Sequence, residues 1–126
     1  MALLRSLEGR SPVEIVDGFF AMWRAVLERS RFTAGCSVLA VTVAGSQRSS
    51  GDADGLLRAA GQVFRSWQSA LAAVLAAGGV PAAAAEPFAT LLIAASEGAV
   101  ALSRAEQGYG PFDAVHQVLR DQAGRF

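Results

Sequence analysis

Apolar positions recur along this chain with a helical period. From Pro12 to about Ser30, Val16, Phe19, Phe20, Trp23, Val26 and Leu27 fall at i, i+3, i+4, i+7 spacing. Glu14, Asp17, Arg24 and Glu28 line the opposite face. Ser11-Pro12-Val13-Glu14 is a strong start signal for this helix, combining an N-cap serine, proline at the first helical position and a capping-box glutamate. A second stripe (Leu56, Leu57, Ala60, Val63, Phe64, Trp67, Leu71, Val74, Leu75) predicts a long helix over 54–77. Gly78-Gly79-Val80-Pro81 breaks it. An Ala-rich helix over 82–107 follows, with Phe88, Leu91, Leu92, Ala95, Ala99 and Leu102 on one side and Ala94, Gly98 and Ala101 as narrow flanks. Small flanks let another helix approach closely.

The remaining segments are shorter. Leu3, Leu4 and Leu7 at helical spacing read as the tail of a connecting helix within residues 1–10. Residues 34–45 are apolar all round. Their β-branched residues would suit a strand, but no second strand is available to pair with it, so a buried helix is predicted. A polar loop is expected over 46–55, with Asp52 or Asp54 capping the next helix. After Gly108-Tyr109-Gly110-Pro111, a last helix carries Phe112, Val115, Val118 and Leu119 inward, and residues 123–126 should fray. The fold class is all-α: one domain over residues 1–126, a bundle of about five helices.

Composition narrows the function. Of 126 residues 52% are hydrophobic and 17% charged, and mean hydropathy is +0.35. So few charges leave apolar surface to be covered by a partner copy or a ligand. Eleven basic and eleven acidic residues balance, so this segment lacks the basic excess that phosphate contacts require. Every basic residue is Arg, and the Ala, Gly and Val content resembles that of GC-rich bacterial genomes. The uncharged stretch from Ser66 to Ala85 is interrupted by Gly78, Gly79 and Pro81, which argues against a membrane span. Met1 to Arg5 carries no signal-peptide pattern. One Cys excludes an internal disulfide and agrees with a reducing, cytoplasmic setting.

Chemistry-bearing residues are sparse. One His and one Cys provide no metal-ligand set, and no nucleophile or nucleotide-binding motif is present, so neither an enzyme nor a cofactor is expected. Cys36, near a helix N-terminus, is either a thiol of lowered pKa or a small buried hydrophobe. Glu97, alone in an apolar run, could bind a cationic ligand group, pair across a dimer, or reach water or Arg104 at an edge. His116 reads as a surface or interface residue. Phe19, Phe20, Trp23, Phe64 and Trp67 would line an aromatic cavity if their two helices face each other, the alternative being ordinary core.

Several ordered segments carry a resemblance. Phe32-Thr33-Ala34-Gly35-Cys36-Ser37 opens an apolar helix, Phe64-Arg65-Ser66-Trp67 sits in a long one, and Gly78-Gly79-Val80 follows. Leu91-Leu92-Ile93-Ala94-Ala95-Ser96-Glu97-Gly98-Ala99 and Leu102-Ser103-Arg104-Ala105 complete the set. Together they resemble the C-terminal regulatory domain of TetR-family transcriptional repressors, in the lincomycin-resistance-regulator branch, over roughly residues 11–122. The resemblance implies an effector-binding, dimerising domain that takes a small apolar ligand and controls DNA binding by a helix-turn-helix head, which this chain lacks. It implies ligand contacts from Phe19, Phe20, Trp23, Cys36, Leu39, Phe64, Trp67 and Leu71. It implies a homodimer through the last two helices, with Phe88, Leu91, Ala95, Glu97, Leu102, Phe112, Val115 and Leu119 at the interface. A second reading is a standalone helical homodimer with a structural or protein-interaction role and no ligand.

Overall fold

The computed structural model describes residues 2–45 and 51–126. They form six helices: α1 (Ala2–Ser6), α2 (Pro12–Ser30), α3 (Ser37–Gly45), α4 (Gly51–Ala77), α5 (Ala82–Glu106) and α6 (Gly110–Ala123). No strand occurs among the described residues, and the all-α bundle agrees with the periodicity. Four long helices, α2, α4, α5 and α6, supply most of the core, while α3 rides on α4 and α1 lies against it.

The capping box at the start of α2 is complete. Ser11 Oγ accepts from the Glu14 amide at 3.2 Å, and Glu14 Oε2 accepts from the Ser11 amide at 3.0 Å. Both ends of the α4–α5 turn have a physical cause. The Val80 amide donates to Leu75 O and the Gly79 amide to Ala76 O, the two bonds of a Schellman ending, with Gly79 left-handed at φ +115°. Gly78 is required for space, since a Cβ there would sit 2.5 Å from the Arg10 carbonyl oxygen. Two buried serines serve backbone. Ser96 Oγ donates to Ile93 O, and Ser103 Oγ accepts from the Phe112 amide in the first turn of α6, which has no capping side chain of its own.

Several expectations change. Leu4 and Leu7 are buried, with Leu7 lying over Gly18, so the α1 segment is docked onto the bundle. Residues 34–45 do form a helix, α3, from Ser37, but none of its residues whose burial is described is fully buried, and Val43 is exposed. An all-apolar sequence reports the absence of polar side chains, not the depth of burial. The start of α4 is similar: Leu56, Leu57 and Val63 are exposed, Phe64 and Trp67 are partly buried against the core, and the stripe enters it at Leu71. Of the expected loop over 46–55, residues 46–50 lie outside the described residues, and from Gly51 the chain is already helical. Asp54 is therefore inside α4, not a cap before it. The C-terminal residues expected to fray are held: Ala123 is buried, and the Phe126 ring packs edge-on against Phe88 with centroids 5.1 Å apart.

Candidate functional site

A cavity of about 310 Å³ opens where α2, α4 and α5 diverge beneath the start of α3. Its walls follow from helical spacing. One face of α2 supplies Phe19, Met22, Trp23 and Val26; α4 supplies Trp67 and Leu71, four residues apart; α5 supplies Ile93 and Glu97, also four apart. Gly35, Cys36 and Ser37 close one end, and Leu4 of α1 adds a last apolar contact. Cys36 O accepts the Ala40 amide at 3.0 Å, so Cys36 is the residue that opens α3, and its side chain faces the cavity.

Two polar atoms in this apolar wall have no hydrogen-bond partner: Trp23 Nε1 and Glu97 Oε2. Trp23 is 9% exposed and Glu97 7%. No ion pair reaches Glu97 among the described residues. Burial pushes its carboxyl above the usual range, and a hydrogen bond from the Cys36 thiol partly offsets this. Burial also raises the Cys36 thiol, and the Glu97 carboxyl adds to the rise; the Leu39 and Val38 backbone pulls the other way and loses. The lowered-pKa reading of Cys36 is therefore corrected: partial burial beside the Glu97 carboxyl raises the thiol instead. Arg104 does not pair with Glu97. Its guanidinium lies over Gly35, where a Cβ would meet Nη1 at 2.7 Å.

A second, open groove of about 450 Å³ runs on the other side of the same wall. Leu39, Phe64, Gln68, Thr90, Ala94, Gly98 and Ala101 line it, and Ile93 and Glu97 belong to both spaces. Across it Thr90 Oγ1 donates to Gln68 Oε1 at 2.7 Å, tying α5 to α4.

Of the eight residues expected around a ligand, the structure gathers Phe19, Trp23, Cys36, Trp67 and Leu71 on the cavity. Leu39 and Phe64 line the groove instead: Phe64 lies two turns before Leu71 on α4, beyond the cavity's end, and Leu39 is three residues past Cys36. Phe20 is in neither. It stacks on His116 (4.7 Å, 5° between planes) and meets Phe112 edge-on at 5.1 Å, because a step of about 100° from Phe19 turns it toward α6. His116 is thus partly buried against α2, where Nε2 also lies 2.8 Å from Asp17 Oδ1. Sequence reasoning missed Met22, Val26 and Ile93: Val26 reads only as part of the α2 stripe, and Met22 and Ile93 lie outside the stripes that periodicity marks.

The residues expected at a dimer interface also divide. Phe88, Phe112 and Leu119 are buried in the chain's own core, and Glu97 faces the cavity. Ala95 and Val115 are half-buried. Leu91 (49% exposed) and Leu102 (53%) face outward on α5, in line with Ala94, Gly98 and Ala105. On α6 Val118 is 67% exposed, contrary to its expected inward placement; six residues from Phe112, it stands about 120° round the helix from it. One helix, α5, is long and apolar enough to cross a membrane by length and composition, but half of its window is buried inside the bundle.

Comparison with known proteins adds three findings. The family profile for the C-terminal domain of LmrA/YxaF-like transcriptional regulators matches residues 12–118. Two relatives from Mycobacterium tuberculosis, strains CDC 1551 / Oshkosh and ATCC 25618 / H37Rv, are each described as an uncharacterized HTH-type transcriptional regulator. Each is 31% identical over 121 residues, which is 95% of this chain and 61% of the relative, so the chain spans under two thirds of their length. No solved structure gives a significant match.

Proposed function

Because this chain belongs to the C-terminal domain family of LmrA/YxaF-like TetR regulators, we propose that it is the effector-binding and dimerising body of a transcriptional repressor. The observation that carries the ligand half of this reading is the cavity with two unsatisfied polar atoms, Trp23 Nε1 and Glu97 Oε2, in an otherwise apolar wall. Most buried polar groups in native proteins are paired, so a ligand that supplied an acceptor to Trp23 Nε1 and a donor to Glu97 would satisfy both. The volume lies at the lower end of the roughly 300–1,000 Å³ of small-molecule pockets.

The dimer half rests on α5 and α6. Leu91, Ala94, Gly98, Leu102 and Ala105 form an uncharged outward stripe, and Pro111, Ala114, Val115 and Val118 continue it on α6. A second copy related by a two-fold axis would cover both in a four-helix interface. Operator binding falls, in this reading, to a helix-turn-helix head outside these 126 residues, and the protein works in the bacterial cytoplasm. Glu97 and Ile93 are shared by the cavity and by a groove that reaches Ala94 and Gly98, which supports a link between ligand and interface through α5. A ligand that binds one arrangement of α5 better than another would shift the two-state equilibrium of the dimer.

The test is a titration with N-phenyl-1-naphthylamine, a neutral probe that brightens in apolar surroundings. One saturable site per chain is expected, lost in Met22→Trp, which fills the cavity. No binding, in a protein that still dimerises, would favour the ligand-free structural homodimer.

A further inference from the structure

The cavity's polar groups are unequal, and they specify more than an apolar ligand. Among the described residues Glu97 is the only charged side chain lining the cavity; it is more than nine-tenths buried, and its Oε2 has no hydrogen-bond partner. Among the described residues no basic side chain lines the cavity, the Arg104 guanidinium lying over Gly35 at its end without lining it, so an anionic ligand would bring a second negative charge against Glu97. A neutral hydroxyl or amide could satisfy Oε2 but would leave a buried carboxylate without a counter-charge, and buried charges are costly unless paired. An organic cation answers both needs. The indole rings of Trp23 and Trp67 and the Phe19 ring on the same wall offer faces that attract a cation as well. Trp23 Nε1, nine-tenths buried and unpartnered, is a donor and calls for an acceptor on the ligand.

We propose that the cavity binds a compact lipophilic amine, whose ammonium group pairs with Glu97 and whose body carries a hydrogen-bond acceptor for Trp23 Nε1. The inference rests on the effector-site reading above and sharpens it to a ligand class. It excludes fatty acids and other carboxylates from the site, and it gives Glu97 a role within one subunit.

The test is calorimetric titration of the chain with three methoxynaphthalenes that differ only at the end of the side chain: ethylamine, ethanol and acetate. A hydrogen bond to a charged group predicts that the amine binds about tenfold or more tighter than the alcohol, with the acetate weakest. In Glu97→Gln the amine should fall to the alcohol's affinity, while the alcohol changes by less than about threefold. In Trp23→Phe all three should weaken together. If amine and alcohol bind the unmodified protein equally, and Met22→Trp blocks both, the cation assignment is overturned and the effector site stands. If none of the three binds, both are overturned.

Discussion

Replacing Glu97 with methionine should make the protein more stable at neutral pH, although the substitution removes a buried hydrogen-bonding group. Methionine matches the length of glutamate and is apolar, so it opens no new void in the cavity wall. The carboxyl it replaces has one oxygen with no partner and no counter-ion. Relieving a buried unsatisfied group is worth about 1–3 kcal/mol, and the interaction given up is a single bond from a thiol, a weak donor. The gain also depends on pH. Burial raises the Glu97 carboxyl in the folded chain above its ordinary value of 4.5, so the native state holds this proton more tightly than the unfolded state. The native protein therefore loses stability as pH climbs from the ordinary carboxylate range through the raised value. Below that range both states are protonated and the ionisation penalty vanishes. Urea denaturation at fixed protein concentration, followed by tryptophan fluorescence, should show Glu97→Met ahead by about 1–3 kcal/mol at pH 7 and by less at pH 4. A variant less stable than the parent at pH 7, or an advantage that does not change with pH, would refute the unpaired, desolvated carboxyl.

Other perturbations test other parts of the account. The outward Leu91 and Val118 can take charge without harm to a single chain, so Leu91→Asp/Val118→Asp should give a helical monomer by light scattering and circular dichroism. Leu119→Asp, inside the core, should instead unfold the protein. Gly78→Ala pushes a Cβ to 2.5 Å from backbone at Arg10 and should cost about 1–3 kcal/mol in denaturation. Gly35→Ala meets only the mobile end of Arg104 and should cost much less. Cys36 should alkylate slowly with iodoacetamide at pH 7, react faster in Glu97→Gln, and be protected by a bound amine; a thiol as fast as free cysteine would contradict its raised pKa.

The helices were legible because their signals are local. Ser11, Pro12 and Glu14 start α2, and Gly78 and Gly79 end α4, through bonds made within a few residues. What each apolar position faces was less legible, since a 3.6-residue period marks a buried stripe without naming its partner. Phe19 and Phe20 look alike in sequence, yet one lines the cavity and the other stacks on His116 from α6. Glu97 was conspicuous in sequence as the lone acid of an apolar run. Its partner was not: the contact with Cys36 spans the gap between α5 and the start of α3, and spacing could only suggest Arg104, seven residues on. Phe126 was misjudged because a terminal position carries no sign of the Phe88 ring it meets.

The chain has two tryptophans, and so two indole N–H resonances, one of them the unsatisfied donor of the cavity. Nitrogen–proton correlation spectra during titration with methoxynaphthyl-ethylamine, with the Trp23 signal assigned from Trp23→Phe, test the effector site most directly. The Trp23 resonance should move saturably, as for an indole gaining an acceptor, with the dissociation constant found by calorimetry. A Trp23 resonance that stays fixed while the amine binds would place the ligand elsewhere and contradict the account.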